Sequence, residues 1–184
     1  MLKHCLLALS VALLCSCNST ALQVVPIDQS TGYFPTTVKA HVVKSVAIDL
    51  DSKKALLLAG GGFTAPMVRN IGYFDKVIDL EQLQRQIVQQ KLSEQIPSVS
   101  DPIGISNASK KLGGFLWLHW HNRVDGSKKY MQLKLTDPTT LDDDFVAETY
   151  LDTFWTGVDD QHNTYPLINA LIDYIKKNSK TFRK

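Results

Sequence analysis

The sequence feature that most constrains the fold is a pair of long β-rich runs joined by an Asp-Gly turn. The two runs are Gly114–Arg123 and Lys129–Thr136, and the turn Asp125-Gly126 lies between them. Asp-Gly between β-rich runs is a strong hairpin signal. A third β-rich run, Phe145–Phe154, follows closely, so the second half of the chain predicts an antiparallel meander.

The first half alternates strand-like and helix-like patterns. Ala55–Ala59 is a continuous apolar run, which is typical of a strand buried on both faces. Because helices follow strands here and a meander comes later, we predict an α/β fold on the α+β border, with helices packed on a single mixed sheet. The remaining predicted elements are strands Val42–Leu50 and Tyr73–Ile78, helices Thr64–Ile71 and Leu80–Gln95 (begun by Asp79 and Gln82), a loop over Ser98–Lys111, and a C-terminal helix from Thr164 to about Lys177.

The first sixteen residues have the pattern of an export signal. Lys3 precedes the apolar stretch Leu6–Leu14, and the small residue Ser16 lies just before Cys17. The nine residues of that stretch form a helix of roughly 14 Å, about half the ~30 Å hydrocarbon thickness of a bilayer. The stretch is therefore too short to span a membrane.

The stretch Leu14-Cys15-Ser16-Cys17 resembles the bacterial lipobox. The resemblance implies that residues 1–16 are a signal peptide, that Cys17 carries diacylglycerol, and that its new amino terminus is acylated. Several acyl chains hold a protein at a membrane far more firmly than one chain does. Asn18 follows, where an Asp would resemble the inner-membrane retention signal, so we expect the periplasmic face of the outer membrane.

Cysteine usage and charge exclude several classes of function. Cleavage before Cys17 removes Cys5 and Cys15, which leaves one cysteine, and that one is acylated. Disulfides, thiol catalysis and cysteine-ligated metal centres are then excluded. Removing Lys3 takes the formal charge from +2 to +1, which gives no electrostatic basis for binding nucleic acid. We expect no cofactor and no resident metal.

Composition divides the chain into four segments. After the signal peptide, residues 17–37 are the acylated cysteine and a flexible tether containing Pro26 and Pro35. Residues 38–178 form one α/β domain, and residues 179–184 are a basic, solvated tail.

The order of elements also resembles a family of small α/β domains. An Ala-Leu-Leu-Leu-Ala strand leads into a glycine turn and a helix. After these come the strand Tyr-Phe-Asp-Lys-Val-Ile, a capped helix, an Asp-Gly hairpin and a strand that ends Lys-Leu-Thr-Asp-Pro-Thr-Thr. This order is similar to the amino-terminal domain of the Tol-system propeller protein, the curli-secretion lipoprotein and lipoprotein activators of cell-wall synthases. The resemblance covers roughly Val42–Asn178. It implies non-enzymatic envelope work through docking, assembly or activation of a partner.

His119-Trp120-His121 is a candidate metal site. Residues i and i+2 of a strand point to the same side, so both imidazoles could meet one ion. A zinc site needs a third ligand, which Asp159, Asp160 or His162 could supply. Two histidines without a defined third ligand are a weak signal. A metal-dependent hydrolase using His119 and His121 is therefore an alternative, and our main expectation has no catalytic residue.

Two further patterns could bind ions or ligands. Gly60-Gly61-Gly62 and Thr64 lie between a buried strand and a helix start, where backbone amides can hold an anion. A ligand-binding module with a cleft at this loop is a second alternative, although the spacing matches no nucleotide fingerprint. Asp142-Asp143-Asp144 lacks the spacing of a calcium loop, so we expect a solvated loop there.

Alternation along Gly114–Arg123 predicts an interaction surface. Trp117, His119 and His121 share one strand face, while Trp120 lies on the opposite face with Leu116 and Leu118. If only one face is covered, Trp117 and its neighbours form a patch of the kind that binds partners. We therefore expect a lipid-anchored envelope protein that acts without catalysis, through contact with envelope proteins or through self-association.

Overall fold

A computed structural model describes residues 25–151 and 160–182 of the chain. The signal peptide, Cys17 and Asp159 lie outside the described residues. The described residues form a mixed six-stranded sheet with helices packed on it, which confirms the predicted fold class. The strand order is β1-β6-β5-β4-β2-β3, with β1 His41–Ser45, β2 Leu57–Ala59, β3 Val77–Ile78, β4 Leu116–Asp125, β5 Lys128–Asp137 and β6 Asp142–Tyr150.

The predicted hairpin and meander are both present. Strands β4, β5 and β6 pair antiparallel in sequence order, whereas β2 pairs parallel with β3 and with β4. Asp125 pairs with Lys128, so Gly126 and Ser127 make the two-residue turn. Gly126 has a φ of +57°, a conformation that glycine adopts without strain.

Four α-helices lie on the two faces of the sheet. Helix α1 covers the predicted residues, but the Thr64 side chain makes no capping hydrogen bond. The predicted capping box of α2 forms between Asp79 and Gln82, and this helix ends at Gln89 rather than at the predicted Gln95. None of the helices in the described ranges is long and apolar enough to cross a membrane. The helices are α1 Thr64–Ile71, α2 Leu80–Gln89, α3 Pro102–Lys111 and α4 Tyr165–Asn178, with a 3₁₀ turn at Leu50–Lys53 and a π-helical turn at Asp160–Thr164.

The main hydrophobic core lies between α1, α4 and one face of the sheet. It contains Leu116 and Leu118, with Trp120 packed against it, so the predicted inward face of β4 is confirmed. Strands β5 and β6 contribute Leu133, Leu135 and Phe145, and α4 contributes Leu167, Ile168, Leu171 and Ile175. Burying side chains of this size stabilises a fold by about 1.5–3 kcal/mol each.

A second, smaller core covers only part of the other face. Helices α2 and α3 pack over β2 and the start of β4, where Leu58, Leu83 and Ile105 are buried and Trp117 packs against them. Within the described chain, this cluster has no member from β5, β6 or β1. That half of the face carries polar side chains instead.

Two expected loops are regular structure. Helix α3 occupies most of the segment predicted as the loop Ser98–Lys111, because Asp101 caps it by accepting a hydrogen bond from the Gly104 amide and Pro102 stands in its first turn. Asp142-Asp143-Asp144 begins β6 rather than forming a solvated loop, and Asp144 is buried. Neighbouring strands therefore override the local preference of three acidic residues for solvent.

Both ends of the described chain pack on the domain, which corrects the predicted tether and tail. Ile27 and Phe34 are buried in the main core, and Phe34 stacks on Tyr165. At the other end, Asp51 accepts hydrogen bonds from Ser179, Lys180 and Thr181. These contacts hold the pKa of Asp51 well below its usual range, with the Ser179 hydroxyl as the largest cause.

Candidate functional site

The part of this sheet face that α2 and α3 do not cover carries a continuous set of polar and aromatic side chains, which we call the open face. Cross-strand pairs place Trp117 opposite Thr136, His119 opposite Lys134 and His121 opposite Gln132. Gln132 in turn lies opposite Glu148 on β6. The open face consists of Trp117, His119, His121 and Arg123 on β4, Tyr130, Gln132, Lys134 and Thr136 on β5, and Asp143, Glu148 and Tyr150 on β6.

An arginine held between a carboxylate and an aromatic ring lies at the hairpin end of this face. Two nitrogens of Arg123 donate to the two carboxylate oxygens of Glu148, each at 2.9 Å. The guanidinium carbon lies 4.2 Å from the centre of the Tyr130 ring. Tyr130 makes an edge-to-face contact with Tyr150, whose ring centre is 5.9 Å away. Bidentate pairing and ring stacking together fix the orientation of the arginine.

Burial makes the Arg123–Glu148 pair unequal. The Glu148 side chain is 8 % exposed and that of Arg123 is 36 % exposed, so the carboxylate is covered and the guanidinium reaches solvent. The Arg123 hydrogen bonds lower the pKa of Glu148, and Gln132 donates to the same carboxylate at 2.8 Å. A carboxylate satisfied in this way stays ionised and holds Arg123 in place. We call Arg123, Tyr130, Glu148 and Tyr150 the arginine–tyrosine cluster.

His119 is part of a separate hydrogen-bonded chain. Its ring stacks on Trp117 at 3.9 Å, and its Nε2 lies 2.9 Å from the Thr136 hydroxyl. Thr136 donates to Asp143, and Lys134 also donates to Asp143 at 2.9 Å. Because the single Thr136 proton goes to Asp143, Nε2 of His119 must be the donor to Thr136. Burial lowers the pKa of His119 to about 4, so the ring is neutral at pH 7.

The structure does not bring a third ligand to the predicted histidine pair. His121 is exposed, whereas Nε2 of His119 is engaged by Thr136. In the parts of the chain that the structure describes, no three His, Cys, Asp or Glu side chains are grouped as a metal site. Asp159 lies outside those parts. His162 lines a cavity with His41 and Tyr150.

The glycine loop forms a packed corner of the domain. Gly61 has a φ of +90°, and a Cβ there would lie 3.1 Å from the Thr64 hydroxyl and 3.4 Å from Trp120. Thr64 is fully buried and accepts a hydrogen bond from the Trp120 indole at 2.7 Å. Gly60 donates its amide to the Leu118 carbonyl, while Gly62 has open space around it. Packing within the domain therefore explains why Gly60, Gly61 and Thr64 occupy these positions.

A cavity of about 650 Å³ adjoins the arginine–tyrosine cluster. Tyr130, Glu148 and Tyr150 form one side of it, and His41 and His162 contribute to the rest. Tyr150 is 52 % exposed, so its ring is available to a partner. The cavity gives the open face a recess beside its aromatic side chains.

The Trp117 end of the open face was predicted from the sequence, and the Arg123 end was not. Trp117, His119 and His121 continue by the same two-residue period to Arg123, so the arginine could have been included. The partners of Arg123 come from β5 and β6, and their proximity depends on strand register. Trp117 is half-buried between His119 and the second core, so it forms the rim of this face. Its indole NH has no hydrogen-bond partner among residues 25–151 and 160–182.

No protein-family model matches the chain, and no curated protein matches it. Two solved structures are similar to it, both with a TM-score of 0.36. The LpoB C-terminal domain from Salmonella enterica is 16 % identical over 54 % of this chain and 83 % of that domain. The LpoB C-terminal domain from Escherichia coli is 15 % identical over 67 % of this chain and 91 % of that domain. Similarity at this level assigns neither family nor function. The resemblance to Tol-system and curli-secretion domains is not supported.

Proposed function

We propose that this chain is a lipid-anchored protein of the bacterial envelope that acts without catalysis, by binding a partner protein through its open face. The anchor rests on the sequence pattern at Cys17, which predicts a lipidated amino terminus at the periplasmic face of the outer membrane. The binding surface rests on the arginine–tyrosine cluster. No cofactor or nucleic acid enters this proposal.

The observation that carries the proposal is the exposed, pre-oriented Arg123 beside Tyr130 and Tyr150. Arginine and tyrosine are among the residues that contribute most to protein–protein binding when they are held in place. Here Glu148 and Gln132 position the guanidinium before any partner arrives. A partner then loses less conformational entropy on binding, because these side chains are already ordered.

The chemistry of the cluster favours a partner with both apolar and acidic groups. Arg123 donates two of its nitrogens to Glu148, and its third nitrogen lies 3.3 Å from Asp125 near the hairpin turn. Asp125 is exposed, so a partner carboxylate can replace it at the guanidinium. The Tyr150 ring supplies apolar area next to that charge.

Site-directed photo-crosslinking in intact cells tests the proposal. A photoreactive residue at Tyr150 should give a crosslinked partner band, and Arg123→Ala in the same chain should weaken that band by tenfold or more. The matched control is a photoreactive residue at Val124, which is 66 % exposed on the opposite face of the same hairpin. Equal crosslinking from Val124 and Tyr150, or a band that survives Arg123→Ala, would exclude the open face as the contact.

The anchor needs a separate test. The wild-type chain should partition into detergent and carry a lipid at Cys17, and Cys17→Ala should accumulate as uncleaved precursor. Recovery of wild-type protein from the periplasm with a free Cys17 thiol would contradict the predicted localisation.

A further inference from the structure

Strand β1 is the edge of the sheet within the described residues. It pairs with β6 on one side, and no strand of residues 25–151 or 160–182 pairs with its other side. All five residues of β1 are exposed, including Val42 and Val43 at 45 % and 51 %. An exposed strand edge presents backbone donors and acceptors that another extended chain can pair with.

A groove with apolar and polar lining residues runs along the α4 side of this edge. It has a volume of about 600 Å³, and Val38, Ala40 and Val42 form one wall of it. Pro166 and Ala170 of α4 contribute to the opposite wall. These three wall residues follow the two-residue period of a strand, and Val42 lies opposite Ala147, which belongs to the main core. Every second side chain of an added strand would therefore enter the groove.

The other side of the same edge is open as well. The cavity beside the arginine–tyrosine cluster reaches Val38, Lys39 and His41. His41 lies opposite Glu148 of the open face. The side chains of an added strand that alternate with those in the groove would therefore lie on the open-face side. The edge thus offers space for both sets of alternating side chains.

Charge identifies the kind of strand that fits. Residues 34–48 contain Lys39, Lys44 and His41 but no Asp or Glu. Lys44 and His41 project to the open-face side, because their cross-strand partners are Val146 and Glu148. Opposite charges across a strand pair stabilise it, and like charges destabilise it. A second copy pairing antiparallel through β1 would bring Lys39 and Lys44 of the two copies close together, which disfavours that occupant.

The acidic groups of the groove are already engaged within the chain. Asp28 accepts hydrogen bonds from the amide and hydroxyl of Ser30, and Asp173 accepts one from the Tyr33 hydroxyl. Both carboxylates lie in the groove beside α4, whereas Lys44 and His41 lie on the open-face side of the edge, where the charged side chains of a bound strand would be placed.

We propose that residues 38–45 bind an extended acidic segment of a partner protein by β-strand addition. The apolar side chains of that segment occupy the groove beside α4, and its alternating carboxylates lie next to Lys39 and Lys44. The bulge between Val42 and Lys44 interrupts the regular register of β1, which begins at His41. This site is separate from Arg123 and does not depend on the function proposed for the open face.

The test uses a six-residue peptide of alternating glutamate and valine with the full-length protein. Hydrogen exchange of backbone amides should slow at least fivefold within residues 38–45 when the peptide is added. Two matched peptides are the controls: one with alternate amides N-methylated, and one with lysine in place of glutamate. Both should bind at least tenfold more weakly, the first because it lacks donors for strand pairing and the second because its charge is reversed.

Variants of the protein complete the test. Lys39→Glu combined with Lys44→Glu changes two exposed side chains and should reverse the preference toward the lysine peptide. Arg123→Ala should leave binding of the glutamate peptide unchanged, which separates this site from the open face.

Three results would overturn the proposal. The first is equal binding of the N-methylated peptide, which would rule out backbone pairing. The second is protection that falls on other elements. The third is protection of residues 38–45 that increases with protein concentration in the absence of peptide, which would identify a second copy as the occupant.

Discussion

At the scale of single residues, the open face contains an imidazole in an environment that disfavours its charged form. His119 stacks on Trp117, and its Nε2 donates to Thr136 while Thr136 donates to Asp143. The nearby Asp143 favours protonation of the ring, but desolvation is the larger effect and lowers the pKa to about 4. The folded protein therefore resists protonation of a side chain that the unfolded chain protonates readily.

This difference predicts a loss of stability in mild acid. The pKa of His119 is about 4 in the folded protein against an ordinary value of 6.5, so its contribution is complete above pH 6.5 and is lost as the pH falls toward 4. Carboxylates with lowered pKa, such as Asp143, lose their contribution only below their ordinary value near 4. Burial raises the pKa of Asp144, which changes stability in the opposite direction as the pH falls, so melting temperatures between pH 7 and pH 4.5 are compared with those of a variant that lacks the histidine.

The substitution His119→Gln keeps a hydrogen-bond donor toward Thr136 and removes the titrating imidazole. The melting temperature of this variant should therefore vary less between pH 7 and pH 4.5 than that of the wild type. His121→Gln changes an exposed imidazole on the same strand face and should keep the wild-type profile. A wild-type profile that is flat from pH 7 to pH 4.5 would contradict the neutral, buried state of His119.

The two tryptophans of β4 make a matched pair for a second test. The Trp120 indole donates to the buried Thr64 hydroxyl, while the buried indole NH of Trp117 has no partner in the part of the chain that the structure describes. Changing either residue to Phe removes similar volume, but only Trp120→Phe breaks a hydrogen bond. We expect Trp120→Phe to lower the free energy of unfolding by about 1–3 kcal/mol more than Trp117→Phe does. Denaturant unfolding of both variants measures the difference, and equal losses would refute the assigned role of the Thr64 contact.

At the scale of elements, the sequence predicts structure well where side-chain period and local signals agree. The capping box of α2 was predicted correctly, because Asp79 and Gln82 interact within four residues of the chain. The meander was also predicted, because the turn and the alternation of β4 and β5 favour the same fold.

The sequence fails where the outcome depends on distant contacts. Helix α3 has a weak apolar period and contains Gly104, so its pattern resembles a loop. Its stability comes from Ile105 and Ala108, which pack in the second core against residues far away in the chain. The same reason applies to the candidate site, since the approach of Tyr130 and Glu148 to Arg123 follows from strand register.

Gly104 gives a prediction that opposes helix propensity. A Cβ at this position would lie 2.0 Å from the Ser98 carbonyl oxygen, which is backbone and cannot rotate away. Gly104→Ala should therefore destabilise the protein by about 1–3 kcal/mol, although alanine favours helices over glycine by about 1 kcal/mol. Asn107→Ala, at an exposed position of the same helix, should be neutral or stabilising. A rise in melting temperature for Gly104→Ala would show that Ser98 does not pack against this helix.

At the scale of the whole molecule, both ends of the described chain are attached to the domain near α4. The N-terminal segment is held by Asn169, whose side chain accepts from the Phe34 amide at 2.8 Å and donates to the Phe34 carbonyl at 2.9 Å. Nine residues lie between Cys17 and Ile27, and the ten steps along the chain from one to the other span at most about 35 Å. A lipid at Cys17 would thus keep the domain close to the membrane surface. The maximum distance between anchor and domain is half of that allowed by a tether that ends at residue 37.

The attachment of the N-terminal segment can be tested at Asn169. Asn169→Ala removes both hydrogen bonds to Phe34, and two such bonds together contribute about 1–3 kcal/mol. When the segment closes faster than a protease cuts it, the cleavage rate is proportional to the fraction of molecules in which the segment is open. Cleavage within residues 27–36 should therefore accelerate roughly tenfold or more. Asn107→Ala serves as the control and should leave the cleavage rate unchanged.

If Asn169→Ala is cleaved at the wild-type rate while remaining folded, Ile27 and the Phe34–Tyr165 stack hold the segment without Asn169. If the segment is cleaved rapidly in the wild type as well, the chain is free up to residue 37 and the domain can reach twice as far from its anchor.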